Sequence, residues 1–329
     1  MSTEQLSQGE RIEAQAFNRR IEERINAGFV PDLRRAVKCE YFYKSIWRDP
    51  QFARLFVGQI VDTYLHMLRQ YGGDELRILD VGCGAGYIPL ELARAGHHVV
   101  GIDISERCIE IAQKTLAENT FKTRFGSLRY RAISLRQATG VYDVVLFSGA
   151  LHHFADPEEP VRLACDLLGP SGLILCYEPC HEEWRMEDAA QVALIRLLLS
   201  LTGTWYEPLA DTNIYKDQAE FESYVSDIHM EYLTERDKSE PDGQSPHDNS
   251  SSGQEILAAF RRHLIELEYK PGFSFIYRLL GGLRGSDKVV SGLADLLAVY
   301  DRVSVKNGYM KPNGFFFIGR LAGEAIRAP

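Results

Sequence analysis

The chain has 329 residues, 45% of them hydrophobic and 25% charged, which is the make-up of an ordinary globular protein rather than a disordered or fibrous one. A formal net charge of −9 without a dense Lys/Arg stripe argues against nucleic acid as a partner, because such binding rests on clustered cations at phosphates. The longest apolar stretch, Val192 to Leu201, is broken by Arg196 and is too short for a membrane span.

The opening MSTEQLSQGE has neither a basic nor an apolar region of the secretory kind, so a cytoplasmic location is expected. Residues 8–70 read as helices. Phe52, Leu55, Phe56, Ile60, Tyr64, Leu65 and Leu68 fall at spacings of three and four and make one apolar stripe. Ahead of it, EYFYKSIWRDP (40–50) is unusually aromatic, and Asp49-Pro50 is fit to start the next helix.

From Leu76 the pattern becomes an alternation of β-rich and helical runs. Strands are predicted over 76–81, 98–103, 128–134, 142–148 and 172–178, with helices to Ala95, over 106–118 and over 160–168. Such alternation implies parallel pairing through right-handed crossovers. VVLF and LILC are near-continuous apolar runs, as strands covered on both faces should be.

Beyond Glu178 helices are predicted over 188–201, 218–232 and 254–267, a strand near Phe273 to Arg278, a helix over 288–303 and a last strand over 314–321. The segment 234–253 has almost no apolar residue and reads as a mobile loop, either a lid or a plain surface insertion. The chain therefore divides into an N-terminal helical cap (1–70), an α/β core (71–180), a helical insertion (181–270) and a C-terminal completion of the sheet (271–329). The six cysteines are too sparse for a disulfide scaffold. Cys176, Cys180 and His181 lack the close pairs and second half of a zinc site, so no metal is expected.

The informative segment is LDVGCGAGY (79–87), which follows a strand and opens a helix. Gly82, Gly84 and Gly86 allow a sharp turn and close approach of a ligand to the main chain. The helix N-terminus beyond them favours an anionic group. Asp103 ends the second strand, 19 residues after Gly84, where a carboxylate can accept from both hydroxyls of a ribose. A bare strand-to-helix turn would need no such set. A dinucleotide loop would want glycine at position 87, where this chain has Tyr87.

The pattern Asp80-x-Gly82-x-Gly84-x-Gly86, with Asp103 at the next strand end and YDVVLFSGALHHF further on, closely resembles the class I S-adenosylmethionine-dependent methyltransferases. The stretch that carries the resemblance runs from about Leu76 to Glu178. It implies a Rossmann-like, seven-stranded, mostly parallel α/β sheet with an antiparallel last strand and a helical cap. It also implies that Asp80, Gly82, Cys83, Gly84 and Gly86 hold the methionine part of the cofactor, Asp103 and Ile104 the ribose, and Ser148 and Gly149 the sulfonium. Ser134 stands where members of the family commonly carry an Asp that reaches the adenine.

Methyl transfer to a hydroxyl needs a base for its proton. His152, His153 and Glu178 are the candidates after the fourth and fifth strands, although a histidine here equally packs or caps and Glu178 equally forms a salt bridge. Tyr41, Tyr43, His181 and Trp205 are candidates for the acceptor pocket. The expected function is methylation of a small molecule, preferably at oxygen, with S-adenosylhomocysteine as product and neither nucleic acid nor membrane as partner. Nitrogen or carbon acceptors, an NAD-type oxidoreductase and a non-catalytic cofactor-binding homologue are the alternatives.

Overall fold

A computed structural model of the chain describes residues 6–39, 45–208, 213–235 and 245–322. Helix α1 (Gln8–Asn26) opens with a capping box between Ser7 and Glu10. Asp49 caps α2 (Pro50–Ala53) with Pro50 at its start, and after one π turn at Arg54–Gly58 the helix continues as α3 (Gln59–Tyr71). The core then runs β1 (Arg77–Val81), α4 (Tyr87–Arg94), β2 (His98–Asp103), α5 (Glu106–Ala117), β3 (Ser127–Ala132), β4 (Tyr142–Ser148), α6 (Glu158–Asp166) and β5 (Leu168–Pro179). Helices α7 (Met186–Leu201), α8 (Gln218–Thr234) and α9 (Gly253–His263) form the insertion. They are followed by β6 (Leu264–Pro271), the short α10 (Ile276–Leu279), α11 (Asp287–Lys306) and β7 (Gly314–Leu321).

The strands form one sheet in the order β3-β2-β1-β4-β5-β7-β6. Neighbours from β3 to β5 pair parallel, and β7 runs antiparallel to both β5 and β6. Strand side chains alternate between the two faces. Ile78, Val144, Leu146, Leu173 and Leu175 join the core on one face, and Leu79, Val145, Phe147, Ile174 and Cys176 that on the other. Strand order reverses between β1 and β4, so a crevice opens beyond the carboxyl ends of these two strands. Among the described residues no helix is long and apolar enough to cross a membrane.

Two expectations about the C-terminal third are corrected. The helix expected to reach Leu267 stops at His263, and LIELEYKP becomes strand β6, with a bulge between Glu266 and Glu268. It is an edge strand whose charged residues discourage further pairing. The strand expected near Phe273 to Arg278 is instead the turn into α10. The buried Asp301 carboxylate collects the N–H groups of Ser274, Phe275 and Ile276 there, so they are not available to a sheet.

Of the polar segment 234–253, residues 236–244 lie outside the described residues, and the part before α9 is hydrogen-bonded to the turn after β4. The N–H groups of Ser250 and Ser251 donate to the His152 carbonyl oxygen, and the Ser251 hydroxyl donates to that of Phe154. A capping box between Ser252 and Glu255 then opens α9.

Candidate cofactor and acceptor site

The carboxyl ends of β1, β2 and β4, the turn after β4, helix α1 and His247 enclose a cavity of about 530 Å³. Its floor is the glycine loop. Gly82, Gly84 and Gly86 all have positive φ, at 73°, 52° and 82°. Their surroundings differ. A Cβ on Gly82 would meet that of Ala150 at 2.9 Å, and one on Gly86 would meet the Tyr130 hydroxyl at 2.5 Å, whereas one on Gly84 would meet nothing within 4 Å. Only Gly84 turns a bare face to open space. Gly86 is not among the lining residues; its carbonyl accepts from Tyr130 at 2.7 Å, which ties the loop to β3. Gly86, expected to help hold the methionine part of the cofactor, packs against Tyr130.

Asp103 accepts from the Gly84 N–H through Oδ2 at 2.8 Å and from the Ser105 N–H through Oδ1 at 2.7 Å. Burial raises its pKa, and those two donors oppose the shift. Asp80 is harder to explain as structure. It is 1% exposed, and neither carboxylate oxygen has a hydrogen-bond partner. Burial, and then the charge of Asp103, push its pKa well above the ordinary carboxylate value. A buried carboxylate without a donor is expensive. At the wall of a cavity it is what a cationic ligand group requires.

Cys83, Ile104, Ser134, Ser148 and Gly149 line the same cavity. The Ser134 hydroxyl accepts from the Arg136 N–H at 3.1 Å and also bonds Glu10, so this side chain is occupied in turning the chain. Ser148 accepts from the buried Tyr64 hydroxyl at 2.8 Å. No residue-level signal in the sequence pointed to the contribution of α1. Glu13, Phe17, Arg20 and Arg24 all line the cavity from this helix.

The three candidates for proton transfer part company. Glu178 is fully buried and lies under the turn after β4. Its Oε1 accepts from the N–H groups of Ala150 and Leu151, both at 2.9 Å, and its Oε2 lies 2.8 Å from His152 Nδ1. It holds the turn rather than facing the crevice, because Gly149 folds the chain back over the end of β5.

His152 also lies outside the cavity lining, with Asp248 3.6 Å from its Nε2. Burial lowers its pKa, but the Glu178 hydrogen bond and the charges of Glu178, Asp248 and Glu235 outweigh this and raise it overall. His153 does line the cavity. Its Nδ1 is 3.0 Å from Glu13 Oε1, and Phe17 packs edge-on at 5.3 Å. Burial would raise the Glu13 pKa, but hydrogen bonds from His153 and Ser245 hold it below the ordinary value.

Two of the acceptor-pocket candidates, His181 and Trp205, are not brought to the cavity. His181 is buried beside Asn313 Oδ1, with its pKa lowered by burial, and Trp205 packs on Gly282 with Arg196 over its ring. Neither is a lining residue. Tyr41 and Tyr43 lie outside the described residues.

Known proteins agree with this architecture. Residues 73–219 match a family model described as a methyltransferase domain. The ubiquinone biosynthesis O-methyltransferase of Bordetella avium (strain 197N) is 32% identical over 130 residues, 39% of this chain and 54% of that protein. Its counterpart in Caulobacter sp. (strain K31) is 36% identical over 100 residues, 30% and 39% of the two chains. The chain thus spans about half the length, or less, of these curated relatives. Among solved structures, the 4+2 cyclase SpnF covers 96% of both chains at 12% identity with a TM-score of 0.50, which shows a shared fold. Residues 73–219 are a methyltransferase domain, and the sheet completed around them is the Rossmann-like fold of the class I S-adenosylmethionine-dependent family.

Proposed function

We propose that the chain transfers a methyl group from S-adenosylmethionine to an oxygen of a small molecule. The observation that carries this reading is Asp80, a buried, donor-less carboxylate beside the open main chain of Gly84 and the Asp103 carboxylate. That trio fits an amino-acid ammonium, a close-lying tail and a ribose. Arg20 and Arg24 supply positive charge for the carboxylate end from α1. When bound, the cofactor supplies a methyl group already activated on a sulfonium. What remains for the protein is to orient the acceptor, keep water out and take up a proton.

His153, braced by Glu13 and facing the cavity, is placed to take that proton; His152 and Glu178 are placed to fix the turn that carries it. The preference for oxygen rests on the name of the curated relatives, O-methyltransferases of ubiquinone biosynthesis. The size of the cavity and the α1 cover favour a small acceptor over a macromolecule.

The test is to incubate the protein with methyl-labelled donor and a fractionated small-molecule extract, while titrating S-adenosylhomocysteine and NADH calorimetrically. Label in a small-molecule ether and binding of S-adenosylhomocysteine alone are expected. Binding without label in any fraction would leave a cofactor-binding protein, and NADH binding in its place would overturn the assignment.

A further inference from the structure

We propose that His152, His153 and Asp248 bind a first-row divalent cation, of which zinc is the type, at the lip of the cavity. One ring nitrogen of each histidine and one oxygen of Asp248 lie within 4.8 Å of one another. His152 Nε2 and Asp248 Oδ1 are 3.6 Å apart, close to the ~3.3 Å edge of a tetrahedron with bonds of about 2.0 Å. This set shares no residue with Cys176, Cys180 and His181, whose spacing argued against a metal.

Three features make it a built site rather than a coincidence of polar groups. First, each imidazole has a carboxylate behind it. Glu178 engages His152 Nδ1 at 2.8 Å, which leaves Nε2 with its lone pair toward Asp248, and Glu13 sits 3.0 Å from His153 Nδ1. Carboxylate–histidine pairs of this kind fix the tautomer and raise the basicity of a metal-binding imidazole.

Second, the two carboxylates around His152 are held in place. Glu178 is anchored by the Ala150 and Leu151 N–H groups, and the segment carrying Asp248 is pinned by the bonds of Ser250 and Ser251 to the His152 carbonyl oxygen. Third, the charges call for a cation. The two imidazole rings are 4.1 Å apart between centroids, with three buried carboxylates around them. Three carboxylates around two imidazoles leave the cluster with surplus negative charge, which a bound dication would offset.

Two histidines and one carboxylate suit zinc, iron(II) or cobalt(II) better than magnesium or calcium. With three protein ligands the ion keeps an open position. His153 belongs both to the cluster and to the cavity wall, so that position lies next to the cavity; with an ion bound, His153 would be a ligand instead of the proton acceptor, and an acceptor hydroxyl held on the ion would be acidified and lose its proton to solvent. This last consequence rests on the methyltransferase reading; the metal site itself does not.

The experiment uses untagged full-length protein, dialysed against a chelator and titrated with cobalt(II) chloride under visible absorption. One ion per chain, d–d bands displaced by zinc, and two exchangeable imidazole N–H proton resonances shifted far downfield by the bound cobalt are expected. Asp248→Asn and His153→Gln should each weaken cobalt binding at least tenfold. No band up to millimolar cobalt, or undiminished binding in both variants, would overturn the proposal and leave His152 as an imidazolium held between Glu178 and Asp248. The proton resonances need only the parent protein, so a variant that misfolds does not void the test. Calorimetry with S-adenosylhomocysteine on the same sample separates the two readings. Cofactor binding without cobalt binding refutes the metal alone, and the reverse refutes the methyltransferase.

Discussion

At the scale of single residues, the site sets stability against binding, and Asp80 shows it most clearly. A carboxylate whose native pKa is raised above its ordinary value of 3.8 destabilises the fold increasingly as pH rises above that value, because the native state holds the proton more tightly than the unfolded state. Asp80→Asn removes the charge without removing a hydrogen bond, since neither oxygen has a partner. The variant is expected to melt above the parent at pH 8 without cofactor, with the gap closing toward pH 4, while its affinity for S-adenosylhomocysteine falls. Melting curves at the two pH values check the first part, and a variant less stable than the parent at pH 8 would contradict it. The glycines divide in the same way. Gly84→Ala carries a left-handed backbone penalty of about 1–2 kcal/mol but meets no atom, so its main effect should be lost cofactor binding. Gly86→Ala adds a clash with Tyr130 to a similar penalty and should lower the melting temperature more than Gly84→Ala does. Equal destabilisation by the two substitutions would mean the loop relaxes around either.

At the scale of elements, the turn after β4 is where sequence and structure diverge, and its behaviour depends on Glu178. Glu178→Ala strips two backbone N–H groups and one imidazole of a shared buried acceptor, at a cost of about 3–5 kcal/mol. Glu178→Gln keeps an oxygen for both N–H groups but presents an amide N–H to His152 Nδ1, which forces the imidazole to carry its proton on Nε2. The Gln variant should therefore unfold near the parent in urea and the Ala variant far below it; similar losses in both would show that the charge, not the acceptor, holds the turn. None of this was legible in the sequence. Position 178 ends a strand, but which way its side chain faces depends on how Gly149 folds the chain back over β5. The glycine loop, Asp80 and Asp103 were legible because strand, turn and helix there are set by neighbours in the chain. Glu13 and Asp248 were not, since their partner His153 and His152 are more than ninety residues away in sequence. Nor were the partners of the polar run before α9 legible: its hydroxyl and N–H groups donate to the His152 and Phe154 carbonyl oxygens, about a hundred residues away in sequence.

At the scale of the molecule, α1 forms one wall of the candidate cofactor cavity, and its contacts say how firmly that wall is held. Its buried residues are few, namely Glu13, Ala14, Ala16 and Ile21. Beside a small apolar cluster with Cys108 and Ile111 of α5, part of its hold is ionic and open to solvent: Glu22 with Arg107 on α5, and Glu10 with Arg136, which is itself paired to Glu159. Pairs of this exposure are each worth at most about 1 kcal/mol and weaken as salt shortens the Debye length to ~3 Å at 1 M. The central sheet, by contrast, is bounded by two apolar cores that salt does not weaken. Helix α1 is therefore the part of the described chain expected to open at low free energy while the sheet stays closed. Hydrogen exchange read by mass spectrometry should show α1 amides exchanging faster at 1 M sodium chloride than at 0.05 M, with β1, β4 and β5 unchanged. Adding S-adenosylhomocysteine should slow α1 and the segment around His247 together, because both wall the cavity. Exchange in α1 that is insensitive to both salt and ligand would mean that entry to the cavity lies elsewhere and that the helix is a fixed part of the core.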